Sequence, residues 1–305
     1  MIYTCTITPS IDYTVYLPEF QTGKLNRTNE VYYYPGGKGI NVSRVLQRLG
    51  NNNVALGFAG GFTGVYITKF LEKEGIQTDF IPSSETTRIN VKIKSENETE
   101  LNGPAPGINQ AQQQALLSKI KTFRQGDWFV LAGSLPNSIP NDFYQEIALI
   151  CKQKDVHFVL DTSGPALKNL IKTKPFLIKP NQNELGELFD TVVTTYHETV
   201  QLAKKIVDKG VQHVIVSMGG DGAILATKDY ALIAEAPKDT VVNTVGAGDS
   251  LVSGFIASYV KDKNPVEAFR YGVATGSATA FQTDLCEKED ADKLVNSVKI
   301  SPFQR

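Results

Sequence analysis

Short, nearly uninterrupted apolar runs recur along the chain, and between them apolar residues return every three or four positions. WFVLAG (128–133), HFVLDT (157–162), FLIKPN (176–181) and HVIVSMGG (213–220) have the length and density of strands buried on both faces. NDFYQEIALICKQKD (141–155) and TVQLAKKIVDKG (199–210) carry the helical period, the second stopping on Gly210. Strands alternating with helices predict an α/β fold, a mostly parallel central sheet with helices on both faces. Ligands of such sheets bind at the carboxyl ends of the strands.

Two segments break this rhythm. Residues 12–35 alternate like strands and end in VYYYP. Residues 88–102 put Ile89, Val91 and Ile93 on one face and Arg88, Asn90, Lys92 and Lys94 on the other, with SENE as a turn. A small antiparallel sheet projecting from the main domain is expected. Its apolar face needs a cover, either by folding over a site or by pairing with a second copy. The predicted division is a main domain of residues 1–11, 36–87 and 103–305, and a β-sheet lid of 12–35 and 88–102.

Composition changes this picture little. The 305 residues are 41% hydrophobic and 21% charged, with a net charge of −1, so there is no general field for nucleic acid or an anionic membrane. Any anion site must be local. Cys5, Cys151 and Cys286 lack C-x-x-C spacing and read as reduced core thiols. His157, His197 and His213 lack metal-ligand spacing. The opening MIYTCTITPSIDYTVYL alternates apolar and polar residues, unlike a signal peptide or a membrane span. A cytoplasmic protein is expected.

Candidate chemistry sits in glycine-rich turns. NTVGAGDS (243–250) strips the side chains from a turn and plants Asp249 at the mouth of an apolar helix. The backbone of Gly246, Ala247 and Gly248 can hold a phosphoryl group on free N–H groups, and Asp249 can take a hydroxyl proton. Equally, Asp249 can simply complement the helix dipole. YPGGKGINVSRVLQRLG (34–50) is a second such turn, with Lys38 among Gly36, Gly37 and Gly39 and Asn41 one turn into the helix; a tight turn with a solvated lysine is the plainer reading. No G-x-x-x-x-G-K-[ST] occurs, and no G-x-G-x-x-G follows the first strand. In IKPNQNELGELF (178–189), Asn181 and Glu184 face one ligand or form a capping box. SMGGDGAIL (217–225) offers Ser217, Gly219, Gly220 and Gly222 as backbone along a nucleotide. Asp12 reads as closing the first strand, either toward sugar hydroxyls or as an ordinary strand-end acid. Arg27 and Arg88 lie on the two lid segments and suit a phosphate, or are ordinary surface arginines.

Taken in order, these segments resemble the PfkB (ribokinase-like) carbohydrate kinases over nearly the whole chain. GGKGINVSRVLQRLG and NTVGAGDSLVSGF are similar to the family's two signatures. The resemblance implies a ribokinase-like three-layer sandwich with a β-sheet lid. It implies Asp249 as base, with Gly246, Ala247 and Gly248 as the anion hole. Lys179, Asn181, Ser217, Gly219, Gly220 and Gly222 fall on the ATP side, with Glu184 holding Mg²⁺ through water. Asp12, Gly36, Gly37, Lys38 and Asn41 fall on the sugar side. Asn243 stands where many members are acidic, which resembles the phosphosugar branch, and Lys38, Arg88 and Arg27 supply charge for an already phosphorylated substrate. TRINVKI, TELNGPAPGI and AGSLPNSIPNDFY resemble the bacterial kinases of fructose 1-phosphate, which phosphorylate O6 to give fructose 1,6-bisphosphate. Tagatose-6-phosphate or fructose-6-phosphate kinase is the alternative, and a non-catalytic sugar-phosphate sensor is the reading from another class. A homodimer through the lid is also implied.

Overall fold

A computed structural model describes residues 1–136 and 139–303. Asn137 and Ser138, inside AGSLPNSIPNDFY, and Gln304 and Arg305, at the end of KISPFQR, lie outside the described residues.

The first strand, Ile2–Thr6, lies mid-sheet between Asn53–Ala59 and Trp128–Ala132. From Trp128–Ala132 the order continues through His157–Asp161, Leu177–Ile178 and His213–Ser217, all parallel. Three antiparallel strands, Ala223–Ala226, Ala231–Glu235 and Lys299–Pro302, finish that side. Strand alternation divides the core in two. Phe129, Leu131, Phe158 and Leu160 join one cluster, whereas Trp128, Val130, Ala132 and Val159 join the other. The buried runs of the sequence are buried on both faces because helices cover both.

The chain builds one side of Ile2–Thr6 first and crosses to the other at Trp128–Ala132. That reversal leaves a crevice outside the carboxyl ends of these two strands. Two helices border it. Lys38–Arg48 follows the first glycine turn, and Ala247–Asp262 follows the second. They pack together, and the buried Ser253 Oγ donates to the Val42 carbonyl at 3.2 Å.

Over the crevice stands a four-stranded sheet in the order Glu30–Gly36, Ser10–Tyr16, Arg88–Lys94, Thr99–Asn102. Its outer pairs are antiparallel, but the central pair, Ser10–Tyr16 with Arg88–Lys94, runs parallel. Both of these strands leave the main sheet from the same end, so they rise in the same direction. Among the described residues, no helix is long and apolar enough to cross a membrane.

Candidate active site

A cleft of about 360 Å³ opens at the crevice, lined by Thr6, Thr8, Lys38, Arg88, Asn90 and Asp249 among others. Its floor is the N-terminus of helix Ala247–Asp262. Gly246 adopts the left-handed region (φ 79°), which favours glycine, and a Cβ there would come within 2.5 Å of Leu285 Cδ2 and press that side chain aside. The Ala247 N–H turns toward the Thr244 carbonyl at 3.3 Å. The next N–H groups belong to a first turn, which has no intrahelical acceptors for them.

Asp249 is buried at this turn and accepts a hydrogen bond from Asn41 Nδ2 at 2.8 Å. Burial raises its pKa to about 6, with the negative charge of Asp161 adding to the rise; Lys38, Asn41 and Lys179 oppose it. A carboxylate with that proton affinity is suited to accept a hydroxyl proton near neutral pH.

Lys38 is not simply the solvated lysine of a tight turn. Its Nζ donates to Asp161 Oδ1 at 3.2 Å, and Lys179 Nζ lies 3.5 Å from the same oxygen. Asp161 is fully buried, and its two lysines outweigh desolvation to hold it below the usual carboxylate range. Asp161 in turn raises the Lys38 pKa. A Cβ at Gly248 would sit 3.1 Å from Lys179 Nζ, so this ammonium overlies the first turn of the helix.

Asp12 is not at the end of the first strand. That strand stops at Thr6, before Pro9, and Asp12 is the third residue of strand Ser10–Tyr16 of the small sheet. It accepts from Ser10 Oγ at 2.8 Å and Asn90 Nδ2 at 3.0 Å, and its other oxygen lies 3.2 Å from Lys92 Nζ. Gly36 pairs across from Ser10, and a Cβ on it would fall 2.4 Å from Asp12 Oδ1. Gly37 lines the same wall. Arg88 donates to the Thr8 carbonyl at 3.2 Å, while its Nε has no partner. Arg27 is exposed on the connection between strands Ser10–Tyr16 and Glu30–Gly36 and is not brought to this cleft.

Of the residues expected on the nucleotide side, Asn181 and Glu184 form a capping box: the Asn181 side chain accepts from the Glu184 N–H, and Glu184 Oε2 accepts from the Asn181 N–H, both at 2.8 Å. Asn181 also bridges in parallel to Ser217. Gly219 and Gly220 face open space, whereas a Cβ on Gly222 would meet the Ala234 carbonyl at 2.0 Å. Gly222 is therefore demanded by the adjacent strand. Asn243 closes its own turn, accepting from Val245 N and donating to the Thr283 carbonyl.

Sequence reasoning missed Asp161, Asn90 and Lys92 as site residues. The available signals were HFVLDT ending a buried strand on a carboxylate, and the polar face of residues 88–94. Among the described residues, the buried side-chain atoms without a partner include Thr6 Oγ1, Arg88 Nε, Asn90 Oδ1 and Asp161 Oδ2, all at or beside this cleft. Polar groups buried without partners are uncommon, and their concentration here marks a place built for a polar ligand.

Comparison with known proteins agrees. A family model described as pfkB family carbohydrate kinase matches residues 6–291. The chain is 50% identical over 301 residues to a 1-phosphofructokinase of Bacillus subtilis (strain 168), with 99% of each chain covered. It is 36% identical over 302 residues to a D-tagatose-1-phosphate kinase of Bacillus licheniformis, with the same coverage. Among solved structures, phosphofructokinase-2 from Escherichia coli in complex with fructose-6-phosphate superposes with a TM-score of 0.91 at 28% identity, covering 97% of this chain and 98% of that one.

Proposed function

The chain belongs to the pfkB family of carbohydrate kinases, and from that premise we propose that it transfers the γ-phosphoryl group of ATP to O6 of fructose 1-phosphate, giving fructose 1,6-bisphosphate and ADP. The observation that carries this reading is Asp249, a buried carboxylate of raised proton affinity at the mouth of a long helix. Asp249 takes the O6 proton as that oxygen attacks the γ-phosphorus; the new O–P bond forms as the bond to the β,γ-bridging oxygen breaks. Charge on the transferring oxygens meets the N-terminus at Gly246, Ala247 and Gly248 and the ammonium of Lys179. Asn41 holds the base in place. Lys38 and Arg88 meet the sugar phosphate, with Arg27, which its own cleft does not hold, reaching it only from a partner's lid; Asp12, Gly36 and Gly37 shape the sugar wall. Asn181, Ser217, Gly219, Gly220 and Gly222 border the nucleotide.

Mg²⁺ fits this donor set only as a phosphate-borne ion. Among the described residues no group of three or more His, Cys, Asp and Glu forms a cage. Glu184 is half-buried, spends one oxygen on the capping box and is near enough to Lys38 to raise its pKa. That geometry suits contact through water, the usual habit of Mg²⁺ on phosphates. When bound, the ion would neutralise charge on the phosphoryl oxygens. EDTA is expected to abolish turnover and added Mg²⁺ to restore it; unchanged turnover in EDTA would remove the metal from the mechanism.

The lid's two faces divide the work. Asp12, Asn90 and Arg88 face the cleft, while Val31, Tyr33, Ile89 and Leu101 share the opposite face and are all exposed. We propose that a second copy covers this face, giving a homodimer through a lid of residues 12–35 and 88–102. Tyr33→Glu should then shift the protein toward monomer in sedimentation.

The substrate is tested by kcat/KM with Mg-ATP for fructose 1-phosphate, tagatose 1-phosphate, tagatose 6-phosphate and fructose 6-phosphate. The 36% relative named for tagatose 1-phosphate favours that sugar as the second reading. Highest kcat/KM for fructose 1-phosphate is expected; a higher value for any other acceptor overturns the substrate while leaving the chemistry in place.

A further inference from the structure

We propose that Asp161 is the positioning residue of the phosphoryl-transfer site: one of its oxygens, at the end of strand His157–Asp161, anchors both Lys38 and Lys179 beside Asp249. The inference rests on Asp249 being the base.

The two lysines arrive from unrelated places, one from the glycine turn after the lid and one from the junction of strand Leu177–Ile178 with helix Gln182–Leu188. Each is a long flexible chain ending in a point charge, and two ammonium groups brought together in a half-buried cleft repel. A shared carboxylate oxygen at 3.2 and 3.5 Å removes that conflict and gives both chains one fixed end. Asp161 is well suited to the task because it is fully buried, on a strand paired along its length with Trp128–Ala132, and so has little freedom of its own. An ammonium has three N–H groups. Spending one on Asp161 leaves two on each lysine for phosphoryl oxygens. The anchor thus aims the lysines without neutralising their hydrogen-bonding capacity.

Asp161 also sets the electrostatic balance at the base. The charged groups facing Asp249 are Asp161, Lys38 and Lys179, with Asn41 as a neutral donor; Glu184 acts one step away, through Lys38. Together with Asp249 in its ionised form, Asp161, Lys38 and Lys179 sum to zero charge. Removing Asp161 leaves two cations facing the base, which favours its ionised form and lowers its proton affinity. The acidic limb of the rate profile therefore moves to lower pH. A side chain that only filled space would not move it.

The test is the pH dependence of kcat/KM for wild type, Asp161→Asn, Asp161→Glu and Asp249→Asn, using the best ketose phosphate, with urea unfolding of each. Asp161→Asn is expected to lose roughly 10²-fold in kcat/KM through misplaced lysines, to raise the KM for ATP, and to move the acidic limb down by about one pH unit. Asp161→Glu restores the charge but not its placement, so its limb returns toward wild type while turnover stays low. A folded Asp161→Asn enzyme with the wild-type limb overturns the proposal. If Asp161→Asn does not fold, Lys179→Met decides: losing a cation should move the limb up, and an unmoved limb equally overturns the proposal. The base assignment is judged separately. If Asp249→Asn keeps the wild-type limb, that assignment falls; the anchoring of the lysines is then judged on the ATP KM of Asp161→Asn alone, and an unchanged value overturns it.

Discussion

Helix Lys38–Arg48 carries a buried charge cluster at each end, and the two are built to opposite specifications. At its C-terminal end, Arg44 is almost fully buried, donates to Glu74 at 2.9 Å and to Asp284 at 2.8 Å, and lies 5.2 Å from the Phe70 ring centroid. Arg48 adds a further bond to Asp284 at 2.9 Å. Despite burial, Arg44 holds Asp284 below the usual carboxylate range. At the N-terminal end, Lys38 shares one oxygen of Asp161 with Lys179, the other Asp161 oxygen has no partner, and Asp249 is pushed up to about 6. One cluster is saturated and rigid. The other stands part-satisfied, and in the proposed reaction the phosphate would meet the N–H groups that Lys38 and Lys179 do not spend on Asp161. Buried polar networks stabilise when every member is paired and cost stability when they are not.

The cost at Asp249 has a definite sign. A carboxyl titrating near 6 in the fold, rather than near the ordinary value of about 4, costs roughly 3 kcal/mol at neutral pH. Its pKa is raised by folding, so the cost is absent below about pH 4, grows as pH rises toward 6, and stays constant above that.

The sharpest way to break the comparison is therefore to remove one charge from each cluster. Asp249→Asn should lower kcat by roughly 10²–10⁴-fold or more while raising the urea midpoint at pH 7, because an isosteric amide escapes the desolvation cost. Near-normal turnover in that variant would sink the base assignment. Arg44→Ala should do the reverse, losing roughly 1–3 kcal/mol of stability, discounted because Glu74 and Asp284 keep some solvent. Its kcat should stay close to wild type. If the arginine variant is as stable as wild type, the C-terminal cluster does not hold the fold together. The smallest effect belongs to the wall. Gly36→Ala would press a methyl against Asp12 Oδ1, and the sugar-phosphate KM should rise by roughly tenfold, about 1.4 kcal/mol, with the ATP KM unchanged. An equal rise in both would place Gly36 in the fold rather than in the sugar wall.

Local features of this molecule are legible in the sequence. The buried strands, Gly210 after its helix, and the glycine turns ahead of Lys38 and Asp249 declare themselves through spacing alone. Features made by distant pairing are not. Asp161 looks like any strand-end acid until topology brings Lys38 and Lys179 to it. Asp12 is misplaced by sequence alone because the chain changes sheets at residues 7–9, and the apolar alternation continues through the break. The parallel pairing of Ser10–Tyr16 with Arg88–Lys94 depends on where both strands leave the main sheet, which no short window contains. Asn181 and Glu184 carry two compatible readings; the capping box accounts for their contacts with each other, and contact with metal-bound water is part of the proposal.

The most direct measurement is the pH dependence of kcat/KM for the wild-type enzyme beside Asp249→Asn. The wild-type acidic limb is expected near pH 6, where the buried carboxyl loses its ability to accept a proton, and the variant should keep residual activity without that limb. A limb near pH 4, or one that survives unchanged in Asp249→Asn, would contradict the claim that a desolvated Asp249 in a part-satisfied charge cluster is the base.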